Sequence, residues 1–126
     1  MSVLIITERN DIHGHALIWA LESLGVRCDR WSMLDFPEQQ RNSIRISNSL
    51  AEPVCKVAGL VPSPSYTSIW FRRLFAPGAI SGSLAAADVQ MAQLQARRFA
   101  EGTRTVISPG SIWINPLGTR RKHRLF

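Results

Sequence analysis

The sequence predicts an α/β domain of the Rossmann-like type, with a mostly parallel sheet, an edge hairpin and flanking helices. The first observation is Val3-Leu4-Ile5-Ile6, a continuous apolar run, β-branched in three of its four positions, that is typical of a strand buried on both faces. The second is a helical pattern that follows this run through residue 24. The third is the alternating segment 26–31, which completes the strand–helix–strand order of a right-handed βαβ unit.

The first helix is predicted from residue 12 to residue 24. Asn10 or Asp11 can cap its first turn, and Gly25 supplies a stop at its end. Apolar residues recur at helical spacing along it, and we expect them to face the sheet. They are Ile12, Ala16, Leu17, Ala20, Leu21 and Leu24.

The middle of the chain has a different pattern of apolar and polar residues. Segments 44–46 and 54–57 both alternate between apolar and polar residues, which predicts a β-hairpin with one face toward water, at a sheet edge. A further strand is predicted over Tyr66–Phe71, directly before two arginines. The segment 74–83, which contains Pro77, Gly78 and Gly82, is predicted to be a loop.

A second helix is predicted over residues 85–101, because this stretch is rich in Ala, Gln and Met and is followed by Gly102. Its apolar stripe is formed by Val89, Ala92, Ala96 and Phe99. Two short strands are predicted after it, over residues 105–107 and 111–115, the second ended by Pro116.

The net charge of the 126-residue chain is +6, but the charge is uneven. Residues 1–101 carry ten basic and nine acidic residues, whereas residues 102–126 carry five basic residues and no acid. Four of those five lie in a basic tail: Arg120, Arg121, Lys122 and Arg124. A nearly neutral body argues against a broad nucleic-acid-binding surface. The tail leaves an alternative open, a stand-alone interaction protein that binds nucleic acid or an acidic partner through these residues.

The sequence also indicates the cellular compartment to expect. No apolar run reaches the length of a membrane-spanning helix, and the N-terminus lacks the basic region of a secretory signal, so we expect a cytoplasmic protein without a membrane partner. Cys28 and Cys55 belong to no metal-binding or redox motif. We expect two buried or half-buried structural thiols, although spacing alone leaves a disulfide open.

The usual signatures of enzymes are absent. The turn after the first strand contains acids and no glycine, and neither dinucleotide-binding nor phosphate-binding glycine motifs occur. His13 and His15 stand two apart on a helix, point to different sides and are expected to be solvated. No nucleophile motif is present, and the nine acids are scattered. The sequence therefore predicts no catalytic, cofactor-binding or metal-binding residue in this chain.

Arg72 and Arg73 are the more informative pair, because they directly follow a predicted strand. Ligands of open α/β sheets gather beyond the carboxyl ends of the strands. Adjacent side chains alternate in direction, so one arginine would face that crevice while the other pairs internally or meets a partner. The alternative is a solvated strand end with ordinary salt bridges. Trp70 and Trp113 are expected in a core or an interface.

Three blocks of the sequence, taken together, resemble a known family. They are the first strand with Thr7, the block Ser68-Ile69-Trp70-Phe71-Arg72-Arg73, and Trp113-Ile114-Asn115-Pro116 followed by Arg120-Arg121. In this order they are similar to the N-terminal pre-ATP-grasp domain of microviridin-type ATP-grasp peptide maturases, relatives of the ribosomal-protein glutamate ligases (RimK-like ligases). The resemblance assigns residues 1–116 to that domain and residues 117–126 to a basic C-terminal tail.

The resemblance implies a role within a larger enzyme. Full-length members use ATP and Mg²⁺ to form an acyl-phosphate on a side-chain carboxylate of a precursor peptide, and a hydroxyl or amine then attacks to give an ester or amide. Because the ATP and Mg²⁺ ligands belong to later domains, the resemblance implies no cofactor in this chain and no independent activity. The sequence departs from the family at Leu117, where a second proline is usual, and over residues 120–126. This departure predicts a truncated, split or frame-altered maturase, or an excised domain.

The expected partners follow from the same resemblance. They are an ATP-grasp catalytic domain or protein, in cis or in trans, a precursor peptide, and a second copy of the chain held through exposed Trp70 or Trp113. The residues expected on the face that packs on the catalytic part, or that touches nucleotide or peptide from the side, are Trp70, Arg72, Arg73, Trp113 and Asn115.

Overall fold

The structure is a computed structural model, and it describes residues 1–51, 53–57, 66–72, 78, 80, 82–107 and 110–114. These residues form two compact units. The first is built from residues 1–32, 66–72 and 110–114, and the second from the remainder. In order, the described chain forms β1 (Ser2–Ile6), α1 (Ile12–Ser23), β2 (Arg27–Trp31), β3 (Asn42–Arg45), β4 (Val54–Val57), β5 (Ser68–Phe71), α2 (Ala86–Val106) and β6 (Ile112–Ile114).

The first unit is built on a parallel sheet in the order β2-β1-β5-β6. β1 lies inside the sheet, with Leu4 opposite Asp29 on one side and Ile69 on the other. Leu4 and Ile5 are fully buried, so the apolar run that predicted a strand covered on both faces does form one. The predicted Rossmann-like α/β class is confirmed.

Helix α1 begins at the predicted residue and ends at Ser23, one residue before the predicted end. Asp11 caps it, accepting a hydrogen bond from the His13 backbone N–H, and Gly25 follows it with a φ of 76°. The expected sheet-facing set is wrong at four of its six positions. Ile12 and Leu24 are 79% and 78% exposed, and Ala16 and Ala20 are exposed as well. The more buried positions are instead Gly14, Leu17, Ile18 and Leu21. Apolar residues surround most of this helix, so periodicity could not select the buried face.

The second unit contains the predicted hairpin, which forms its own two-stranded antiparallel sheet. Ile44 lies opposite Cys55 and Asn42 opposite Val57, and both of these β4 residues are buried. Helix α2 packs against the two strands. The predicted apolar stripe of α2 is its more buried side, continued by Ala100.

Helix α2 runs past Gly102, so the predicted stop at this residue and the predicted strand over 105–107 are both wrong. Gly102 does not adopt the left-handed conformation that ends a helix. The turn beyond it is held by burial, because Thr103 and Ile107 are buried and the Thr103 hydroxyl donates a 2.9 Å hydrogen bond to the Phe99 carbonyl. Neither α1 nor α2, the two α-helices of the described residues, combines the length and apolar character that a membrane crossing needs.

Candidate functional site

The strand order places a topological switch point between β1 and β5. From β1 the chain goes to β2 on one side of the sheet, and later returns through β5 on the other side. Open α/β sheets bind ligands in the crevice beyond the carboxyl ends of two such strands. Thr7 and Arg72 occupy these two ends, and their backbone N–H groups continue the ladder to Trp31 and Ile6, each at 3.1 Å.

A single carboxylate, Asp11, organises this edge of the sheet. Its Oδ1 accepts the His13 N–H at 3.2 Å and so begins α1, while its Oδ2 accepts the Thr7 hydroxyl at 2.6 Å. The Arg72 Nε donates to the same Oδ2. The side chain of Asp11 is only 3% exposed and that of Arg72 is 20% exposed. This is therefore a largely buried, hydrogen-bonded ion pair and not a solvated strand end.

The environment of Asp11 keeps it ionised. Burial alone would raise its pKa, but the hydrogen bonds from Arg72 and Thr7, the Arg72 charge and the Gly14 N–H outweigh burial and hold the pKa well below its usual range. Gly14 allows this approach, since a Cβ there would lie 2.9 Å from the Thr7 methyl carbon and 3.3 Å from Asp11 Oδ2. A carboxylate with so low a pKa is a poor general base at neutral pH.

Arg72 also contacts Trp70, two residues earlier on the same strand. The Arg72 guanidinium carbon lies 5.5 Å from the centre of the Trp70 ring, within the range of a cation–π interaction. The sequence allowed Arg72 either to face the crevice or to pair inside the domain. In the structure it pairs with Asp11. Trp70 and Arg72, both predicted site residues, are thus in contact.

Trp113 is not part of this cluster. Trp113 lies opposite Ile69 and Trp70 opposite Ile114 on the paired strands β5 and β6. Because neighbouring residues of a strand point to opposite faces of the sheet, the two tryptophans lie on opposite faces and do not form one patch. Both are half-buried. The other predicted site residues lie outside the described residues: Arg73, Asn115, Arg120, Arg121, Lys122 and Arg124.

Sequence reasoning missed a cationic group at the same edge. Arg30, near the end of β2, donates a 3.0 Å hydrogen bond from Nη1 to the Arg9 carbonyl and lies 3.2 Å from His15 Nε2. His15 Nε2 is itself 2.6 Å from the Arg9 carbonyl. Arg30 lies near the carboxyl end of a predicted parallel strand, as Arg72 does. The argument applied to Arg72 could therefore have identified Arg30 as well.

Several chemistries find no support in the described residues. They contain no group of three or more His, Cys, Asp or Glu side chains placed to hold a metal ion. Both cysteines are free, Cys28 half-buried and Cys55 buried, as predicted. Burial raises the pKa of the Cys55 thiol to about 11, so it is protonated and unreactive near neutral pH.

The Asp11 pair should make the stability of the fold sensitive to acid. Because the folded-state pKa lies below the unfolded one, the stabilisation is complete above the unfolded pKa of about 4 and is lost as the pH falls through the lower folded pKa. We expect the gap in unfolding free energy between wild type and Asp11→Asn, measured by urea denaturation, to be constant near neutrality and to shrink at about pH 3 and below. A gap as large at about pH 3 as near neutrality would contradict the assignment.

Comparisons with known proteins bear on the fold. No protein-family model and no curated protein matches the sequence. Among solved structures, the macrocyclase MdnB from Microcystis aeruginosa MRC superposes with a TM-score of 0.80 at 18% identity, over 96% of this chain and 39% of that one. A RiPP-associated ATP-grasp ligase from Chryseobacterium gregarium, in complex with ADP and a leader and core peptide, gives a TM-score of 0.78 at 16% identity, over 96% of this chain and 37% of that one.

A third similar structure is the macrocyclase MdnC from the same Microcystis strain, bound with the precursor peptide MdnA. Its TM-score is 0.74 at 18% identity, over 93% of this chain and 37% of that one. The chain thus spans less than two fifths of the length of each of these three proteins. It has the fold found in part of the RiPP-associated ATP-grasp ligases and macrocyclases, in agreement with the pre-ATP-grasp resemblance of its sequence.

Proposed function

We propose that the chain is the pre-ATP-grasp domain of a microviridin-type peptide-modifying ATP-grasp ligase and acts there as a structural and docking module. The observation that carries the proposal is the superposition of nearly the whole chain on part of MdnB, at a TM-score of 0.80. It is supported by two similar structures that hold peptides, a precursor peptide in one and leader and core peptides in the other.

The chemistry is assigned to an ATP-grasp domain or protein, supplied in cis or in trans. ATP and Mg²⁺ would supply carboxylate activation there. The buried carboxylate of this chain does not fit a Mg²⁺ ligand, because Asp11 caps α1 and is bonded to Thr7 and Arg72. The turn that it belongs to also lacks the glycines that let a backbone approach phosphates.

The docking face in this proposal is the carboxyl edge of the parallel sheet. The Asp11–Arg72 pair fixes the start of α1 against the end of β5, so the edge is held in one geometry. Trp70 borders it, as does Arg30, which donates to the Arg9 carbonyl and lies beside His15. A fixed, mixed aromatic and cationic surface suits packing against another domain. A homodimer stays a prediction.

Reconstitution tests this function. We expect this chain to copurify with an ATP-grasp protein supplied in trans. With ATP and Mg²⁺, the two together should convert a precursor peptide with the loss of one water per new ester or amide bond, detected by mass spectrometry. Omission of this chain is the control. Equal conversion without it, or submicromolar binding of Mg-ATP by this chain alone in calorimetry, would contradict the docking role.

A further inference from the structure

The outer face of the hairpin carries a row of cations. Ser43 lies opposite Lys56, and Arg45 lies opposite Val54. Along residues 41–45 exposed and half-buried residues alternate, so Arg41, Ser43 and Arg45 share the outward face with Lys56. We call Arg41, Arg45 and Lys56 the hairpin cation face. Its opposite side, with the buried Cys55, is covered, since α2 packs against both strands.

The three cations have no acidic partner among the described residues. Within the part of the chain that the structure describes, none of the three forms an ion pair or a side-chain hydrogen bond. The face itself contributes no acid, because the residues between the cations are Ser43 and Val54. Three unpaired positive charges on a single ladder make a surface complementary to an anionic partner.

The spacing of the charges fits an extended chain. Arg41 and Arg45 are four residues apart on one strand, which is about 13 Å, and Lys56 lies opposite the midpoint between them. Alternate side chains of an extended peptide recur about every 6.7 Å on one side. A peptide with carboxylates at alternate positions can therefore reach all three cations from one edge.

A cleft beside this face offers room for an apolar side chain. It has a volume of about 640 Å³, and its lining includes Phe36, Pro37, Arg41 and Lys56. The Phe36 ring stacks on Phe99 of α2, with ring centres 5.5 Å apart and planes inclined by 23°. This stacking holds the Phe36 side of the cleft in place, which lowers the entropic cost of binding.

We propose that the hairpin cation face, with the adjoining cleft, binds an extended carboxylate-rich peptide segment. Acidic side chains at alternate positions pair with Arg41, Lys56 and Arg45, and an apolar side chain rests against Phe36. The surface suits a peptide better than a nucleic acid, because three cations neutralise few phosphates and the Phe36 ring already stacks on Phe99. The inference rests on the hairpin alone and holds whether or not the chain serves a ligase.

The test uses the full chain and a fluorescein-labelled peptide of about eight residues in which glutamate alternates with threonine around one leucine. Fluorescence anisotropy measures its affinity. We expect Arg41→Glu/Lys56→Glu to weaken binding at least about ten-fold. The control, Arg97→Glu/Arg98→Glu on α2, makes the same change in net charge at exposed residues of the same unit and should leave affinity within about two-fold. Circular dichroism checks that both variants fold, and Arg45→Glu provides a second loss-of-binding variant.

Each other outcome overturns the proposal. Unchanged affinity in Arg41→Glu/Lys56→Glu places the peptide elsewhere, the basic tail included. Equal losses of peptide affinity in the test and control variants would show that only the net charge of the chain matters. Tighter binding of a labelled single-stranded oligonucleotide, lost in the same variants, makes the face a nucleic-acid surface instead. None of these results changes what is expected of the reconstitution experiment, which tests the proposed function separately.

Discussion

Replacement of Arg72 by alanine is expected to lower the free energy of unfolding by about 3 kcal/mol. The loss leaves Asp11, whose side chain is 3% exposed, as an ionised carboxylate without its cationic partner. It also removes the contact of the guanidinium with the Trp70 ring. Urea denaturation followed by tryptophan fluorescence measures the change, since Trp70 reports on the same unit.

Arg27→Ala is the matched control for this variant. Arg27 also pairs with an aspartate, Asp29, at 3.3 Å, but its side chain is 58% exposed. Exposed pairs of this kind contribute at most about 1 kcal/mol. The double variant Arg72→Ala/Asp11→Asn should recover part of the loss, because no buried charge is then left uncompensated. Equal effects of Arg72→Ala and Arg27→Ala would refute the account of a buried pair.

The second large effect is expected in the other unit, at Gly78. A Cβ at this position would lie 2.2 Å from the backbone carbonyl oxygen of Leu34, closer than real Cβ contacts come. The Gly78 N–H also donates a 2.8 Å hydrogen bond to the Phe36 carbonyl, so Gly78 cannot move away without giving up this bond. We expect Gly78→Ala to cost about 3 kcal/mol of unfolding free energy, at the upper end for overpacking.

Gly82→Ala is the control, since nothing lies within 4 Å of a Cβ at that position. It should change stability by less than about 1 kcal/mol. The same urea titration compares the two, and the Phe36 and Phe99 ring resonances in NMR spectra report whether the stacked pair is disturbed. A Gly78→Ala variant as stable as Gly82→Ala would show that this close approach does not constrain the backbone at Gly78.

The sequence was sufficient to predict those elements whose local sequence pattern agrees with their environment in the folded chain. Strand β1 could be predicted because its apolar run is typical of a strand covered on both faces, and in the structure every residue of that run is buried. The end of α1 was found because Gly25 adopts the left-handed conformation that few other residues tolerate. In both cases the local signal and the tertiary environment require the same structure.

The remainder was decided by contacts between distant parts of the chain. Gly102 is a helix stop by local propensity, but burial of Thr103 and Ile107 carries α2 past it. Arg72 was recognised as a site residue, whereas its partner Asp11, 61 residues earlier, was recognised only as a helix cap. Only the strand order, which puts the ends of β1 and β5 side by side, brings the two together.

The first unit is assembled from three separate stretches of chain, and this has a consequence for how it forms. β1 receives its second neighbour only when β5 arrives, after a closure of more than 60 residues, and β6 completes the sheet later still. Closure of so long a loop costs entropy before any contact compensates for it, so we expect the sheet to assemble late and slowly. During synthesis, Leu4 and Ile5 therefore gain their second strand neighbour only after residue 71 has been made.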